Sequence, residues 1–143
     1  MPVPNRIERV IELRHPPEKV WAALTTADGL GGWLGTRAEI DELRPGGRAR
    51  VHWGRDEEDT LLFQVVEPPR RFAYTWAIEG LPPGDPRRTY VEFTLEATPA
   101  GTRLTVVETG FAQLPDDLGS SYETNVKGWR TKLAELTDHL DAA

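Results

Sequence analysis

Hydrophobic and polar residues alternate along most of the chain. Ile7, Ile11 and Leu13 share one side of an extended segment and Glu8 and Glu12 the other, which predicts a first strand. The same period of two returns in several runs between residues 36 and 111. Their inward rows are Ala49, Val51 and Trp53; Leu61 to Val66; Phe72, Tyr74, Trp76 and Ile78; Val91, Phe93 and Leu95; and Leu104 and Val106.

Turn-forming residues separate these runs. The predicted turns are Arg44 to Gly47, Asp56 to Asp59, Pro68-Pro69 and Ala100-Gly101, with a longer loop from Glu79 to Arg88. Short connections between successive strands predict an antiparallel meander. The basic residues Arg48, Arg50, His52 and Arg55, like the acidic run Asp56 to Asp59, are interpreted as solvated surface.

Three segments have helical features instead. The first is predicted from Pro17 to Thr26, with Val20, Trp21 and Leu24 buried. A second, short helix follows with Asp28 as its cap, and it contains several glycines before Trp33. The third is predicted from about Ser120 to Leu140. Its apolar stripe is Tyr122, Val126, Trp129, Leu133, Leu136 and Leu140.

The apolar stripe of the last helix and the apolar face of the sheet must both be buried, and each can be buried against the other. This order of elements predicts an α+β helix-grip fold, in which a curved antiparallel sheet of six to seven strands wraps around a long C-terminal helix. Two short helices follow the first strand. The length of 143 residues and the lack of internal repeats predict a single domain over residues 1–143.

Composition excludes several classes of protein. The chain has no cysteine, so disulfides and thiolate metal sites are ruled out. A net charge of −6 opposes a general nucleic-acid-binding role. No apolar run is long enough for a membrane span, and the first residues lack the pattern of a signal peptide, so a cytoplasmic location is expected.

Seven sequence motifs resemble those of one known superfamily and occur in the same order along the chain. They are Pro16-Pro17-Glu18-Lys19-Val20-Trp21 with Leu24-Thr25 and Trp33; Pro45-Gly46-Gly47-Arg48; Pro68-Pro69-Arg70-Arg71-Phe72; Tyr74-Thr75-Trp76; Gly101-Thr102-Arg103-Leu104-Thr105; Gly110-Phe111; and Gly128-Trp129 with Leu133 and Leu136. The chain resembles the START-like SRPBCC superfamily, and within it the domain related to the C-terminal half of the activator of heat-shock protein 90 ATPase. The resemblance implies a cavity between the sheet and the last helix.

Aromatic residues on the inward rows are the candidate ligand-binding set, because indole rings combine a large apolar area with an N–H donor. The candidates are Trp33, Val51, Trp53, Phe63, Tyr74, Trp76, Phe93, Glu108, Val126 and Trp129. Trp33 is expected at an entrance, since it ends the glycine-rich segment. Trp21 and Trp129 are expected mainly to pack, and core filling is the competing interpretation for every aromatic residue in the set.

Glu108 follows Leu104 and Val106 on an inward row, which places a carboxyl group inside the fold. It is the one candidate general acid or base, or a partner for an inward arginine or for a ligand amine or hydroxyl. A structural hydrogen bond is the alternative. No metal site is expected, since the three histidines share no ligand spacing, and neither a catalytic triad nor a nucleotide-binding motif is present, so no cofactor is expected.

These observations leave three hypotheses for function. The first is a domain that binds an apolar or aromatic small molecule in the cavity. The second is an enzyme of the polyketide cyclase or aromatase kind, with proton transfer by Glu108 together with Tyr74 or another inward polar group. The third, implied by the resemblance, is a chaperone-regulating module that binds a protein partner through an outer surface. The chain is expected to be a monomer or a homodimer.

Overall fold

A computed structural model describes residues 6–54, 57–78, 86–111 and 119–142. The chain forms seven strands and three helices. In chain order they are β1 (Arg6–Leu13), α1 (Pro17–Thr25), α2 (Ala27–Trp33), β2 (Arg37–Ile40), β3 (Arg48–Trp53), β4 (Glu57–Glu67), β5 (Arg71–Ala77), β6 (Arg88–Thr98), β7 (Gly101–Thr109) and α3 (Gly119–Ala142). All neighbouring strands are antiparallel, in the order β1-β7-β6-β5-β4-β3-β2. The curved sheet and the long last helix form the predicted helix-grip fold.

The core lies between the inner face of the sheet and the helices. The alternating residues of the strands are buried there, for example Leu61, Phe63 and Val91, each with 0 % of its surface exposed. Leu133 and Leu136 of α3 pack against the same cluster. The side chain of Tyr122, the first residue of the predicted stripe, lies outside the described residues. Among the described residues, no helix has the length and apolar character needed to cross a membrane.

The junction of α1 and α2 differs from the prediction. Thr26, not Asp28, caps α2, because its Oγ1 accepts a hydrogen bond of 2.9 Å from the backbone N–H of Gly29. A side chain at Gly29 would collide with the carbonyl oxygen of Ala23, so the glycine allows the two helices to approach each other. Trp21 is half-buried, with its ring edge against Phe72, and is therefore less buried than predicted.

The turn predicted at Asp56 to Asp59 is wrong for its last three residues. Strand β4 already begins at Glu57, where it pairs with Trp53 of β3. Pairing with β3 thus makes this segment a strand, although its polar composition is typical of a turn. Of the long predicted loop, residues 79–85 lie outside the described part of the chain, and β6 begins at Arg88.

The basic residues of β3 lie on its outer face beside carboxylates. The side chain of Arg48 is 3.9 Å from Asp41, and His52 Nε2 is 2.9 Å from Glu39 Oε1. Arg55, the last residue of the predicted stripe, lies outside the described residues. Arg48 and Asp41 are both exposed, where an ion pair contributes little stability, as expected of a solvated surface. His52, whose side chain is only 15 % exposed, is more buried than predicted because Glu39 and Glu58 flank its ring.

Candidate functional site

A cleft of about 680 Å³ opens between the sheet and the first half of α3. We call it the tryptophan cleft. Its walls come from the ends of β3, β4 and β5, the residue after α2, and one face of α3. The lining residues are Leu34, Trp53, Glu57, Glu58, Asp59, Trp76, Ala77, Ile78, Thr124, Asn125, Gly128, Trp129 and Lys132. Its volume falls within the roughly 300–1,000 Å³ usual for small-molecule sites.

Three indole rings form the apolar wall of this cleft. The rings of Trp76 and Trp129 are stacked, with centroids 5.8 Å apart and planes at 29°. The ring of Trp53 is tilted by 58° against Trp76 at 6.4 Å. Trp53 and Trp76 are half-buried, and Trp129 is 3 % exposed. The aromatic surface that the cleft offers to a ligand therefore comes mainly from Trp53 and Trp76.

The N–H groups of all three indoles already have partners within the protein. Trp76 Nε1 donates to Glu108 Oε2 at 2.7 Å, and Trp129 Nε1 donates to Glu108 Oε1 at 2.8 Å. Trp53 Nε1 donates to Asp59 Oδ2 at 3.1 Å. Each ring is thus held at its polar edge, which fixes its orientation.

Glu108 is 1 % exposed and accepts four hydrogen bonds. Besides the two indoles, the hydroxyl of Thr89 donates to Oε2, and Asn125 Nδ2 donates to Oε1 at 3.0 Å. Each carboxylate oxygen therefore accepts two bonds, as a buried carboxylate requires. The donors come from β5, β6 and α3, so Glu108 joins three elements behind the wall of the cleft.

Strand register explains how Glu108 reaches these donors. Glu108 of β7 is paired with Val91 of β6, and Trp76 of β5 is paired with Thr89 of β6. Cross-strand partners point to the same face of a sheet, so the side chains of Trp76, Thr89 and Glu108 all face α3. Helical spacing then places Asn125 and Trp129 four residues apart on the facing side of α3.

Three acidic residues of β4 are among the described lining residues of the cleft. Glu57 and Asp59 occupy the inner row of β4, which continues through Leu61 and Phe63 into the core. Glu57 is exposed and Asp59 is half-buried. Glu58 points to the other face of the strand, and its Oε2 lies 3.5 Å from His52 Nδ1. Of the three acidic residues that line the cleft, Glu57 and Asp59 therefore lie on the row of β4 that faces the core.

Lys132 is the cation that lines the described part of the cleft. Its Nζ lies 5.4 Å from the centroid of the Trp53 ring, within the range of a cation–π contact. The same ammonium donates to Glu135 Oε2 at 2.8 Å. The side chain of Lys132 is 28 % exposed, so this contact is only partly shielded from water.

Gly128 lies in the middle of α3 without a packing reason for a glycine. A Cβ atom built there would meet nothing within 4 Å, in contrast to Gly29, where it would lie 2.4 Å from a carbonyl oxygen. Glycine inside a helix costs about 0.5–1 kcal/mol relative to alanine. Since Gly128 lines the cleft, this open space belongs to the volume of the cleft.

Tyr74 lies behind the cleft with 0 % of its surface exposed. Its hydroxyl has no hydrogen-bond partner among the described residues. Burial, followed by the negative charges of Glu108 and Asp59, raises the pKa of the Tyr74 phenol well above its usual value of 10.0. The phenol therefore stays protonated at physiological pH.

The family model described as Activator of Hsp90 ATPase homolog 1-like protein matches residues 14–141. The chain belongs to this family. The sequence resemblance to the START-like SRPBCC superfamily is thereby confirmed.

Solved structures agree with this assignment to the Activator of Hsp90 ATPase homolog 1-like family. Protein MLL2253 from Mesorhizobium loti is 28% identical, with a TM-score of 0.83 over 96% of this chain and 98% of that one. The Aha1 dimer from Colwellia psychrerythraea is 22% identical, with a TM-score of 0.75 over 94% and 95% of the two chains. A search of curated proteins finds no significant match.

A third structural neighbour is DynU16, a protein of the dynemicin biosynthetic locus. It is 23% identical, with a TM-score of 0.77, and the match covers 96% of this chain but 48% of that one. This chain therefore spans about half the length of DynU16. At this level of identity the likeness to DynU16 and to the Aha1 dimer shows the fold alone.

Within this family fold, the predicted site residues divide into three groups. Trp53, Trp76 and Trp129 line the cleft. Glu108 lies behind two of these indoles, and Val126 is half-buried against the core. The remaining candidates are core residues with 0–1 % exposure, namely Trp33, Val51, Phe63, Tyr74 and Phe93.

The expected entrance residue Trp33 has a structural contact instead. Its Nε1 donates to the carbonyl oxygen of Ala23 at 2.8 Å, and its ring meets the edge of Phe93 at 6.3 Å. Leu34, the next residue, is the one from this segment that lines the cleft. A ligand-binding role for Trp33 stays a prediction, with no direct contact to the cleft to support it.

Ten of the thirteen described lining residues were not among the sequence candidates, and four of these ten had a signal in the sequence. Glu57 and Asp59 continue the inward row of Leu61 at a spacing of two residues. Gly128 and Lys132 lie within one helical turn of Trp129 on the predicted α3. Glu57 and Asp59 were missed because the polar composition of their segment predicts a turn. Gly128 and Lys132 were missed because they are not part of the apolar stripe of α3.

Metal-binding chemistry has no support in the described residues. No group of three or more histidine, aspartate or glutamate side chains there is placed to hold a metal ion. The three histidines lie apart, with His52 beside Glu39, His15 beside Asp141 and His139 packed near Gly32.

Proposed function

We propose that this chain binds an aromatic small molecule in the tryptophan cleft. The observation that carries the proposal is a cleft of about 680 Å³ lined by three indoles whose N–H groups are all bonded within the protein. Flat apolar molecules gain most from such surfaces, because they stack on the rings and release water from them.

Gly128 supports the same proposal. A helix glycine without a close neighbour lowers stability, whereas an alanine there would raise it. The small residue is explained if the space above it is needed for a ligand. One structural neighbour, DynU16, is a protein of the dynemicin biosynthetic locus, which is consistent with a small-molecule ligand for this fold.

The cyclase or aromatase alternative has less support. It needs Glu108 to exchange a proton with a bound molecule, yet both carboxylate oxygens accept two hydrogen bonds from protein donors. Tyr74, its proposed partner, does not line the cleft. Glu108 is better suited to orient the indoles than to transfer a proton.

The test is isothermal titration calorimetry at pH 8 with three bicyclic probes, which are neutral quinoline, cationic 1-methylquinolinium and anionic 1-naphthoate. Binding of at least one probe to the wild type is expected, and Gly128→Leu should weaken it by about tenfold or more, because the new side chain fills the cleft. Ala134→Leu is the matched control, since Ala134 lies exposed on the same helix outside the cleft.

Two results would contradict the proposal. If none of the probes binds, or if Gly128→Leu and Ala134→Leu bind them equally well, the cleft is not the binding site. The third hypothesis, a module that binds a protein partner through an outer surface, would then be preferred. The Aha1 dimer among the structural neighbours makes a second copy of the chain the first partner to examine.

A further inference from the structure

We propose that the ligand of the tryptophan cleft is an aromatic molecule with an N–H or O–H group, and that this group donates a hydrogen bond to Oδ1 of Asn125. This inference rests on the proposed function and adds the polar contact that orients the ligand. It makes Asn125 the residue that selects a ligand with a hydrogen-bond donor.

The first argument is the fixed orientation of the Asn125 side chain. Its Nδ2 donates to Glu108 Oε1 at 3.0 Å. A carboxylate accepts hydrogen bonds and does not donate them, so the amide must turn its nitrogen towards Glu108. The hydrogen-bond partner thus tells the oxygen and the nitrogen of this amide apart. Oδ1 is the end of the amide that stays available for another donor.

The second argument is that this oxygen is open to solvent and has no partner. Asn125 is half-buried and lines the tryptophan cleft, and its Oδ1 accepts no hydrogen bond from any described residue. In the described part of the chain, the enclosed side-chain atoms that lack a partner are the Tyr74 hydroxyl and Oε2 of Glu39. Oδ1 of Asn125 is not one of them, so it is in contact with solvent. A donor on a ligand can therefore replace solvent at Oδ1 without displacing a protein group.

The third argument is that the indole and ammonium donors lining the described part of the cleft are already engaged. All three indole N–H groups bond carboxylates of the protein. The ammonium of Lys132 donates to Glu135 at 2.8 Å. The exposed hydroxyl of Thr124 can donate or accept. A ligand acceptor thus competes with existing bonds at the indoles and the ammonium, whereas a ligand donor finds an acceptor at Asn125.

The fourth argument is the position of Asn125 beside the open space of the cleft. Residues three and four apart are neighbours on a helix surface, so Asn125 adjoins both Gly128 and Trp129. A Cβ atom at Gly128 would meet nothing within 4 Å. Since Cα–Cβ bonds in a helix tilt towards its N-terminus, the space that this Cβ would enter lies on the side of Asn125. An aromatic ring in that space lies next to the Asn125 amide.

The carboxylates of β4 are the competing acceptors in the cleft. Glu57 is exposed, so water competes for its oxygens, and Asp59 already accepts an indole N–H. Glu58 Oε2 lies 3.5 Å from His52 Nδ1, on the other face of the strand. Asn125 differs from all three, because its amide is half-buried and is held in one orientation by a buried group.

The experiment compares two isomers of methylindole by isothermal titration calorimetry at pH 8. 3-Methylindole keeps its ring N–H, whereas 1-methylindole has its methyl group on that nitrogen, so the two probes have the same atoms and differ in the donor. We expect 3-methylindole to bind the wild type about three- to tenfold tighter than 1-methylindole. Quinoline, whose ring nitrogen only accepts, should also bind more weakly than 3-methylindole.

Two variants identify the acceptor. Asn125→Leu removes Oδ1 and keeps a side chain of similar size, so the two isomers should bind this variant with equal affinity. It also removes one hydrogen bond to Glu108. Thr89→Val is the matched control, because it removes another hydrogen bond to Glu108 from a residue outside the cleft. It should change the affinity of both isomers by the same factor and keep the preference for 3-methylindole.

A measurement on the wild type replaces Asn125→Leu if that variant does not fold. The nuclear magnetic resonance signal of the ¹⁵N-labelled side-chain amide of Asn125 should shift when 3-methylindole binds. It should shift much less with 1-methylindole at equal occupancy. Equal shifts with the two isomers would contradict a hydrogen bond to this amide.

The outcomes separate this inference from the proposed function. If both isomers bind the wild type equally well and Gly128→Leu blocks both, the cleft binds ligands without selecting a donor, and the inference is wrong. A preference for 3-methylindole that survives Asn125→Leu, or that Thr89→Val also removes, would overturn it too. If neither isomer binds, the inference is wrong, and if quinoline, 1-methylquinolinium and 1-naphthoate fail as well, so is the proposed function.

Discussion

The indole N–H of Trp129 donates to Oε1 of Glu108 over 2.8 Å, and this bond joins the C-terminal helix to strand β7 behind the tryptophan cleft. Trp76 bonds the other oxygen of the same carboxylate from β5. One buried side chain thus holds two stacked rings of the cleft in place. A group with such a role should affect both the stability of the fold and the shape of the cleft.

Replacing Glu108 by glutamine should destabilise the protein by about 2–3 kcal/mol. Glutamine has one acceptor oxygen and a donor amide, so at least one of the surrounding donors loses its partner. Urea unfolding of Glu108→Gln measures the loss, and Glu123→Gln, at an exposed position of α3, is the matched control. Equal stability of the two variants would show that the four hydrogen bonds are not needed.

Replacing Gly128 by alanine should raise the stability by about 0.5–1 kcal/mol. The added methyl group meets no atom within 4 Å, while the helix gains propensity. Gly29→Ala should have the opposite effect, because its Cβ would lie 2.4 Å from the oxygen of Ala23. Thermal unfolding of both variants checks the contrast, and a destabilised Gly128→Ala would disprove the open space above the helix.

Replacing Tyr74 by phenylalanine should leave the stability unchanged or increase it by up to about 1 kcal/mol. The buried hydroxyl has no partner among the described residues, so its removal breaks no hydrogen bond there. Tyr90→Phe is the comparison, because the Tyr90 hydroxyl donates to Glu92 at 2.8 Å and its loss should destabilise. A larger loss for Tyr74→Phe in urea unfolding would contradict this prediction.

Glu92 should contribute stability that depends on pH. A hydrogen bond from Arg71 at 3.0 Å is the main cause that lowers the pKa of Glu92 below its usual 4.5, with a second bond from Tyr90. A lowered pKa in the folded state means that the contribution is complete above pH 4.5 and is lost as the pH falls through the folded-state pKa. The stability difference between wild type and Glu92→Gln, from urea unfolding at a series of pH values, should shrink in that acidic range. A difference that stays constant there would contradict the prediction.

Trp33 and Trp53 should respond differently to replacement by phenylalanine. Trp33→Phe removes a buried hydrogen bond to Ala23 and should destabilise the protein by about 1–3 kcal/mol, with probe affinity retained. Trp53→Phe changes a half-buried residue of the cleft wall. It should weaken the binding of 1-methylquinolinium and cost less stability than Trp33→Phe. Calorimetry and urea unfolding of the same two variants measure both effects, and a loss of affinity in Trp33→Phe alone would reverse the assignment.

Much of the architecture follows from local periodicity. Alternation placed Phe63, Val91 and Glu108 on the inner face of the sheet, where the structure has them at 0–1 % exposure. Spacings of three and four residues placed Trp129, Leu133 and Leu136 on the buried side of α3. The errors are local, at the cap of α2 and at the start of β4, where pairing with a neighbouring strand outweighed a polar composition.

The amino-acid sequence by itself determined which way the side chains point within most strands and helices, because strand and helix periods are properties of the local backbone. It therefore specified the helix-grip fold and an inward Glu108. Only the tertiary structure decided which inward aromatics fill the core, as Trp33 does, and which line a cleft, as Trp53 does. The reason is physical: the volume left between a sheet and a helix depends on the packing of elements far apart in the chain.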